Sequence, residues 1–203
     1  MSTRTYRRFD PWRPAPVREQ SRRQLIDGHY FTVEELALSS SESETFKRLI
    51  LREKHGDTIG VIAQTADGSI PLVEQYRLPS HRWTLEIPAG HARLEHEKPL
   101  DVALRKLKEE AGFDAAHVSQ FMRFLNTPSF STQHTSLFYA TDLTATDRTA
   151  IGPESPRSNV RLVSPAEAYD MVIRGIIIDA KSIIAIMRLH DGLRHPKTAD
   201  SAQ

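Results

Sequence analysis

The chain contains no cysteine, so disulfides, thiolate metal ligands and cysteine nucleophiles are excluded at the outset. It also lacks an excess of charge of either sign. Its 27 Lys and Arg residues face 26 Asp and Glu, a formal charge of +1, so bulk composition favours no polyanionic partner. No apolar run approaches the ~20 residues needed to span a bilayer, and the Arg-rich start has no apolar stretch of a secretory signal. There is no internal repeat. Together these absences lead to the expectation of a cytoplasmic protein with no membrane partner, for which a cysteine-free sequence is well suited.

What remains is an ordinary globular composition. With 203 residues, 39% of them hydrophobic, the chain can bury a real core, more than a minimal domain needs and less than two independent domains need. One main domain with a small attachment is expected.

Residues 1–24 read as a flexible basic arm, with Arg4, Arg7, Arg8, Arg13, Arg18, Arg22 and Arg23 interrupted by Pro11, Pro14 and Pro16 and no apolar period. Tyr6, Phe9 and Trp12 offer stacking groups for a nucleic acid, but short charged termini are more often simply solvated. Residues 25–55 then read as a β extension, residues 56–195 as the main domain and residues 196–203 as a disordered tail. Strands are expected at Tyr30–Leu38, Phe46–Arg52, Thr58–Gln64 and Ile70–Tyr76, joined by hairpins, with Asp67-Gly68 the clearest hairpin turn. Further strands are expected at Phe121–Leu125, Leu137–Thr141 and Val160–Val163. Helices are expected from Pro99 to a stop at Gly112, from Pro165 to Arg174 and from Ala180 to about His190. Strands mixed with a few helices, without regular alternation, predict an α/β fold with a mixed sheet packed between helices.

The first helix carries the chemistry. Leu100, Ala103, Leu104, Leu107 and Ala111 make its apolar stripe, while Lys106, Glu109 and Glu110 project together with Arg105 beside Glu109. Two adjacent carboxylates are the hard oxygen ligands that Mg²⁺ or Mn²⁺ takes, although on most helices such a pair is only a solvated face. Just before the helix, Leu85 to Gly90 reads as a strand closing in a Pro-Ala-Gly turn, which can leave the Ala89 carbonyl free for a cation.

These residues resemble the Nudix box: Gly, five residues, Glu, seven residues, then Arg-Glu-apolar-any-Glu-Glu-any-Gly-apolar. Glu97 takes the first acidic position, Arg105 the arginine, Leu107 the apolar position, Glu109 and Glu110 the acidic pair, and Gly112-Phe113 the end. Glu74 to Pro79, Leu85 to Gly90 and Gly175 to Ser182 are similar to segments of the ADP-ribose pyrophosphatase branch, so the resemblance covers most of residues 25–192.

It implies a Nudix-type α/β/α sandwich with an N-terminal β extension, commonly a homodimer. It further implies a Mg²⁺- or Mn²⁺-dependent pyrophosphohydrolase of ADP-ribose or another nucleoside diphosphate sugar. By the same resemblance, Glu109, Glu110 and Ala89 hold metal, Arg77 and Glu86 hold substrate, and Glu97 and Arg105 brace the box. Tyr30 or Phe31 is either a stacking partner for adenine or, more commonly, a core aromatic.

The pattern also departs from the family. Lys106 stands where relatives carry a catalytic, metal-binding Glu, so metal binding is expected to weaken and Lys106 itself to face phosphate. One extra residue separates Gly90 from Glu97, and Ser129 and Gln133 replace a glycine and an acid. Glu154 is the one candidate for a loop acid, and Glu95 a possible replacement for the acid lost at position 106. A hydrolase with reduced activity is the first expectation. The alternatives are a catalytically silent module that binds a nucleotide sugar or RNA, and a structural dimer without ligand.

Overall fold

The computed structural model describes residues 10–93, 96–149 and 159–192. Among these residues ten strands form three sheets, accompanied by three α-helices. Strands β1 (Val17–Asp27), β2 (Phe31–Ser40) and β3 (Phe46–Glu53) form an antiparallel N-terminal sheet. The main body holds a four-stranded sheet in the order β7 (Ala89–Gly90), β4 (Thr58–Ala63), β9 (His134–Ala145), β8 (Phe113–Leu125), in which β4 and β9 run parallel. A three-stranded antiparallel sheet places β5 (Ile70–Arg77) between β6 (Arg82–Glu86) and β10 (Val160–Val163).

Strand alternation sorts the core into two layers. Ile59, Val61 and Ala63 of β4 pack with Val102, Ala103 and Leu107 of helix α1 (Pro99–Lys106) and its continuation. Ile62 turns the other way, joining Leu137, Ile70, Leu72 and Ile87 against Ala185 and Ile186 of helix α3 (Ala180–His190) and Ala168 of helix α2 (Pro165–Ile173). This is the α/β/α sandwich with an N-terminal β extension. Among the described residues no helix is long and apolar enough to cross a membrane.

Three expectations need correction. The arm expected to be structureless up to residue 24 is strand β1 from Val17 onward. Its residues are exposed on both faces, so no apolar alternation marks it; backbone pairing to β2 and the ion pairs Arg22–Glu34 and Arg23–Glu35 hold it instead. Residues 1–9, with Tyr6 and Phe9, lie outside the described residues, as do Glu95, Glu154 and the expected tail.

The turn at Asp67-Gly68 forms, with Gly68 at φ +83°, but it joins β4 to β5, which lie in different sheets, so it is not a hairpin. Turn chemistry reports the chain reversal; the choice of partner strand depends on which apolar faces meet. Tyr30 and Phe31 are 54% and 44% exposed rather than core residues, because the N-terminal sheet covers neither.

Candidate functional site

A cleft of about 590 Å³ opens beside the end of the four-stranded sheet, lined in part by Arg77, Ala89, Gly90, His91, Gln133 and Lys181. Its charged wall is built by three elements. Glu86, at the end of β6, is 1% exposed and receives Nε and Nη2 of Arg77 at 2.7 and 2.5 Å. The ammonium of Lys181 bonds the same carboxylate.

Asp179 fixes that lysine: its Oδ2 accepts from Lys181 Nζ at 2.8 Å and, as the N-cap of α3, from Ser182 N at 3.0 Å. Burial opposes ionisation of Glu86, but the Arg77 fork and Lys181 outweigh it and lower its pKa to about 2. Arg77 keeps 45% of its side chain exposed, so it can reach a ligand while Glu86 orients it.

Uncharged polar residues also line the cleft. Asn126 Nδ2 donates to Gln133 Oε1 at 2.9 Å, Gln133 Nε2 to Thr58 Oγ1 at 3.2 Å, and Thr135 Oγ1 to Asn126 Oδ1 at 2.8 Å. Gln133 thus sits in an amide and hydroxyl chain suited to sugar hydroxyls. His91 lines the cleft as well. Its Nδ1 is buried without a partner, and burial, with His55 and Lys106 nearby, holds its pKa below the usual value against the pull of Glu53.

The acidic pair lies behind the strand edge. Helix α1 widens at Leu107–Ala111 into a single π-helical turn that ends on Gly112 at φ +76°, a distortion common at functional sites. Glu109 and Glu110 are only 8% and 5% exposed there. Each of their oxygens is engaged. Glu109 Oε1 meets Arg93 at 2.9 Å, Glu109 Oε2 meets Arg105 at 3.3 Å and Lys106 at 3.4 Å, Glu110 Oε1 meets Lys106 at 3.1 Å, and Glu110 Oε2 accepts from Ala89 N at 3.0 Å. Burial raises the pKa of Glu110, against the opposing effect of Lys106.

Arg105 ties the loop to the helix by two bonds to Glu97, at 2.7 and 2.9 Å, and one to the His91 carbonyl at 3.0 Å. The sequence therefore brings Lys106, Glu109 and Glu110 together as expected, and pairs Arg77 with Glu86. Lys106 is not among the cleft-lining residues; its stem crosses Gly90, which is.

Among the described residues no group of three or more acidic or histidine side chains forms a metal cluster. Glu109 and Glu110 carry the hard carboxylate oxygens that a divalent ion takes, beside Ala89, but all four are engaged, so one ion fits only after a rearrangement. That fit requires Lys106 to swing away from both. Sequence reasoning missed Lys181 and Asp179, since a lysine next to a helix cap carries no signal until folding sets it against Glu86.

A sequence model of the NUDIX domain matches residues 54–184. The chain is 33% identical to an ADP-ribose pyrophosphatase of Bacillus subtilis over 77% of this chain and 82% of that one. It is 30% identical to a methanol dehydrogenase activator of Bacillus methanolicus over 85% and 92%. A crystal structure of an ADP compounds hydrolase shares the fold with a TM-score of 0.72 at 20% identity, covering 87% of this chain and 94% of that one. With the family model covering more than half of the chain and the α/β/α layers shared, this chain belongs to the Nudix family and resembles its ADP-ribose pyrophosphatases.

Proposed function

We propose that the protein is a Nudix phosphohydrolase that splits the diphosphate of ADP-ribose or another nucleoside diphosphate linked to a sugar, at a rate lowered by Lys106. One observation carries this reading: a single cleft joins the half-exposed Arg77 and buried Lys181 to the Ala89-Gly90 edge, behind which the acidic pair lies. A diphosphate is the ligand for which a guanidinium fork and an ammonium on one wall are suited. The amides and hydroxyls of the same cleft suit the sugar hydroxyls.

In this reading Arg77 and Lys181 hold the phosphates, Glu86 keeps both cations aimed, and Gln133 and Asn126 orient the sugar. Glu109 and Glu110 would hold Mg²⁺ or Mn²⁺ with Ala89, and such an ion supplies polarisation of the phosphoanhydride and of an attacking water. A homodimer is part of the proposal, supported by Ile26, Phe31 and Leu49, which lie exposed on one face of the N-terminal sheet.

A second reading, a module that holds the nucleotide sugar without cleaving it, is favoured by the ammonium of Lys106 on both carboxylates. The test is release of AMP from ADP-ribose and a panel of nucleotide sugars at high protein concentration with Mg²⁺ or Mn²⁺. Metal-dependent product supports the hydrolase. Saturable binding with no product in any metal selects the second reading.

A further inference from the structure

Position 106 and position 90 are built for each other. A Cβ on Gly90 would lie 2.1 Å from Lys106 Cε and 3.0 Å from both Cδ and Nζ, so the lysine stem occupies the space that any other residue at 90 would fill. The stem delivers the ammonium to Glu109 and Glu110 while 17% of the side chain stays exposed. Three carboxylates, Glu97, Glu109 and Glu110, are then matched by three cations, Arg93, Arg105 and Lys106. The cluster is neutral with its acidic pair shut from water. Adding a divalent ion to a balanced, partly dry cluster meets like-charge repulsion and finds no free carboxylate oxygen on that pair.

We infer that Lys106 is a resident cation standing in for the divalent ion, so that the cleft binds a nucleoside diphosphate without metal, and Mg²⁺ or Mn²⁺ reaches Glu109 and Glu110 only by displacing Lys106. The inference rests on the reading of the cleft as a nucleoside diphosphate site. An ammonium on a flexible stem is a compact point charge that can move from a carboxylate to a phosphate oxygen across the Gly90 edge. When it does, it leaves Glu109 and Glu110 with Arg93, Arg105 and the Ala89 N–H. Arg77 and Lys181 already face the same cleft. The diphosphate would thus meet three cationic side chains that need no assembly from solution, which lowers the ordering cost of binding.

Two measurements on the full chain test this separately. Mn²⁺ binding is read by electron paramagnetic resonance without nucleotide, for the wild type, Lys106→Met, Lys106→Glu and Gly90→Ala. Expected is weak binding by the wild type and an affinity higher by about tenfold or more in Lys106→Glu, as expected when a repelling charge becomes a ligand. Gly90→Ala keeps every charge but displaces the ammonium, and should also tighten Mn²⁺ binding. ADP-ribose binding is read by calorimetry in EDTA and in Mg²⁺. Expected is binding by the wild type that changes less than about twofold with Mg²⁺ and weakens about tenfold in Lys106→Met without it.

Wild-type Mn²⁺ affinity equal to that of Lys106→Glu, or ADP-ribose binding that vanishes in EDTA and returns with Mg²⁺, overturns the inference. If ADP-ribose binds in neither condition, the substrate reading fails, and the Mn²⁺ series alone decides whether Lys106 excludes the metal.

Discussion

The ammonium of Lys181 lies against the carboxylate of Glu86, 95 residues away in the chain, and the two side chains are 9% and 2% exposed. Removing one partner of such a pair strands the other charge in a dry place. Lys181→Met leaves Glu86 with Arg77 and the Thr84 hydroxyl and should lower the unfolding free energy by about 3–5 kcal/mol, the usual cost of breaking a buried pair. Urea denaturation measures it. A loss under about 1 kcal/mol would mean that Arg77 and Thr84 suffice to satisfy Glu86.

Glu86 also sets a pH dependence. Its folded pKa, about 2, is depressed below the ordinary 4.5, so it contributes stability that is fully present above 4.5 and lost as pH falls through 2. Glu110 has the opposite sign: its pKa is raised, so its contribution is present below 4.5 and lost as pH rises through the folded value. Unfolding free energy should therefore fall steeply between about pH 4.5 and 2. Glu86→Gln should flatten that slope whatever its absolute stability, and an unchanged slope would assign the acid sensitivity to other carboxylates.

Arg105 bonds Glu97, Glu109 and the His91 carbonyl from a side chain 19% exposed. Arg105→Lys keeps the charge but loses the planar fork. It should cost about 1–3 kcal/mol, as partners of a partly buried charge go unsatisfied, and should speed proteolysis between His91 and Lys98. Equal proteolysis of wild type and variant would show that the loop is held by other contacts.

Lys106→Glu places three carboxylates together on the widened turn. Without metal this should destabilise the fold through like-charge repulsion, and Mg²⁺ should restore the loss because it binds only the folded state. Thermal melts with and without Mg²⁺ read this. On the proposed hydrolase reading, the same variant should raise metal-dependent AMP release by about tenfold or more, since it adds a carboxylate ligand beside Glu109 and Glu110; no gain in rate despite recovered metal binding would favour the non-cleaving module.

Much of the site was legible because helical spacing is local. Lys106, Glu109 and Glu110 meet through separations of three and four residues, and Arg105 reaches Glu109 the same way, so their neighbourhood follows from the chain itself. Arg77 and Glu86 were each singled out by the resemblance as substrate residues, but their ion pair across adjacent antiparallel strands was not read from the sequence. The π-helical turn, the burial of both acids and the engagement of every one of their oxygens were not legible either, since each depends on β7 arriving at the helix.

Local pattern also determined the helix bounds at Pro99 and Gly112, strand β10 at Val160–Val163 and the approximate extents of α2 and α3, because periodicity and helix stop signals act over a few residues. The sequence alone likewise excluded thiol chemistry and placed a lysine in the acidic box. Only the tertiary structure decided that β4 and β5 part into different sheets and that an exposed basic stretch becomes strand β1. It also decided that Lys181 joins Glu86, and that the stem of Lys106 fits across Gly90. Those outcomes depend on which distant surfaces exclude water together, and on a methyl group that Gly90 does not have; neither is visible in a window of neighbouring residues.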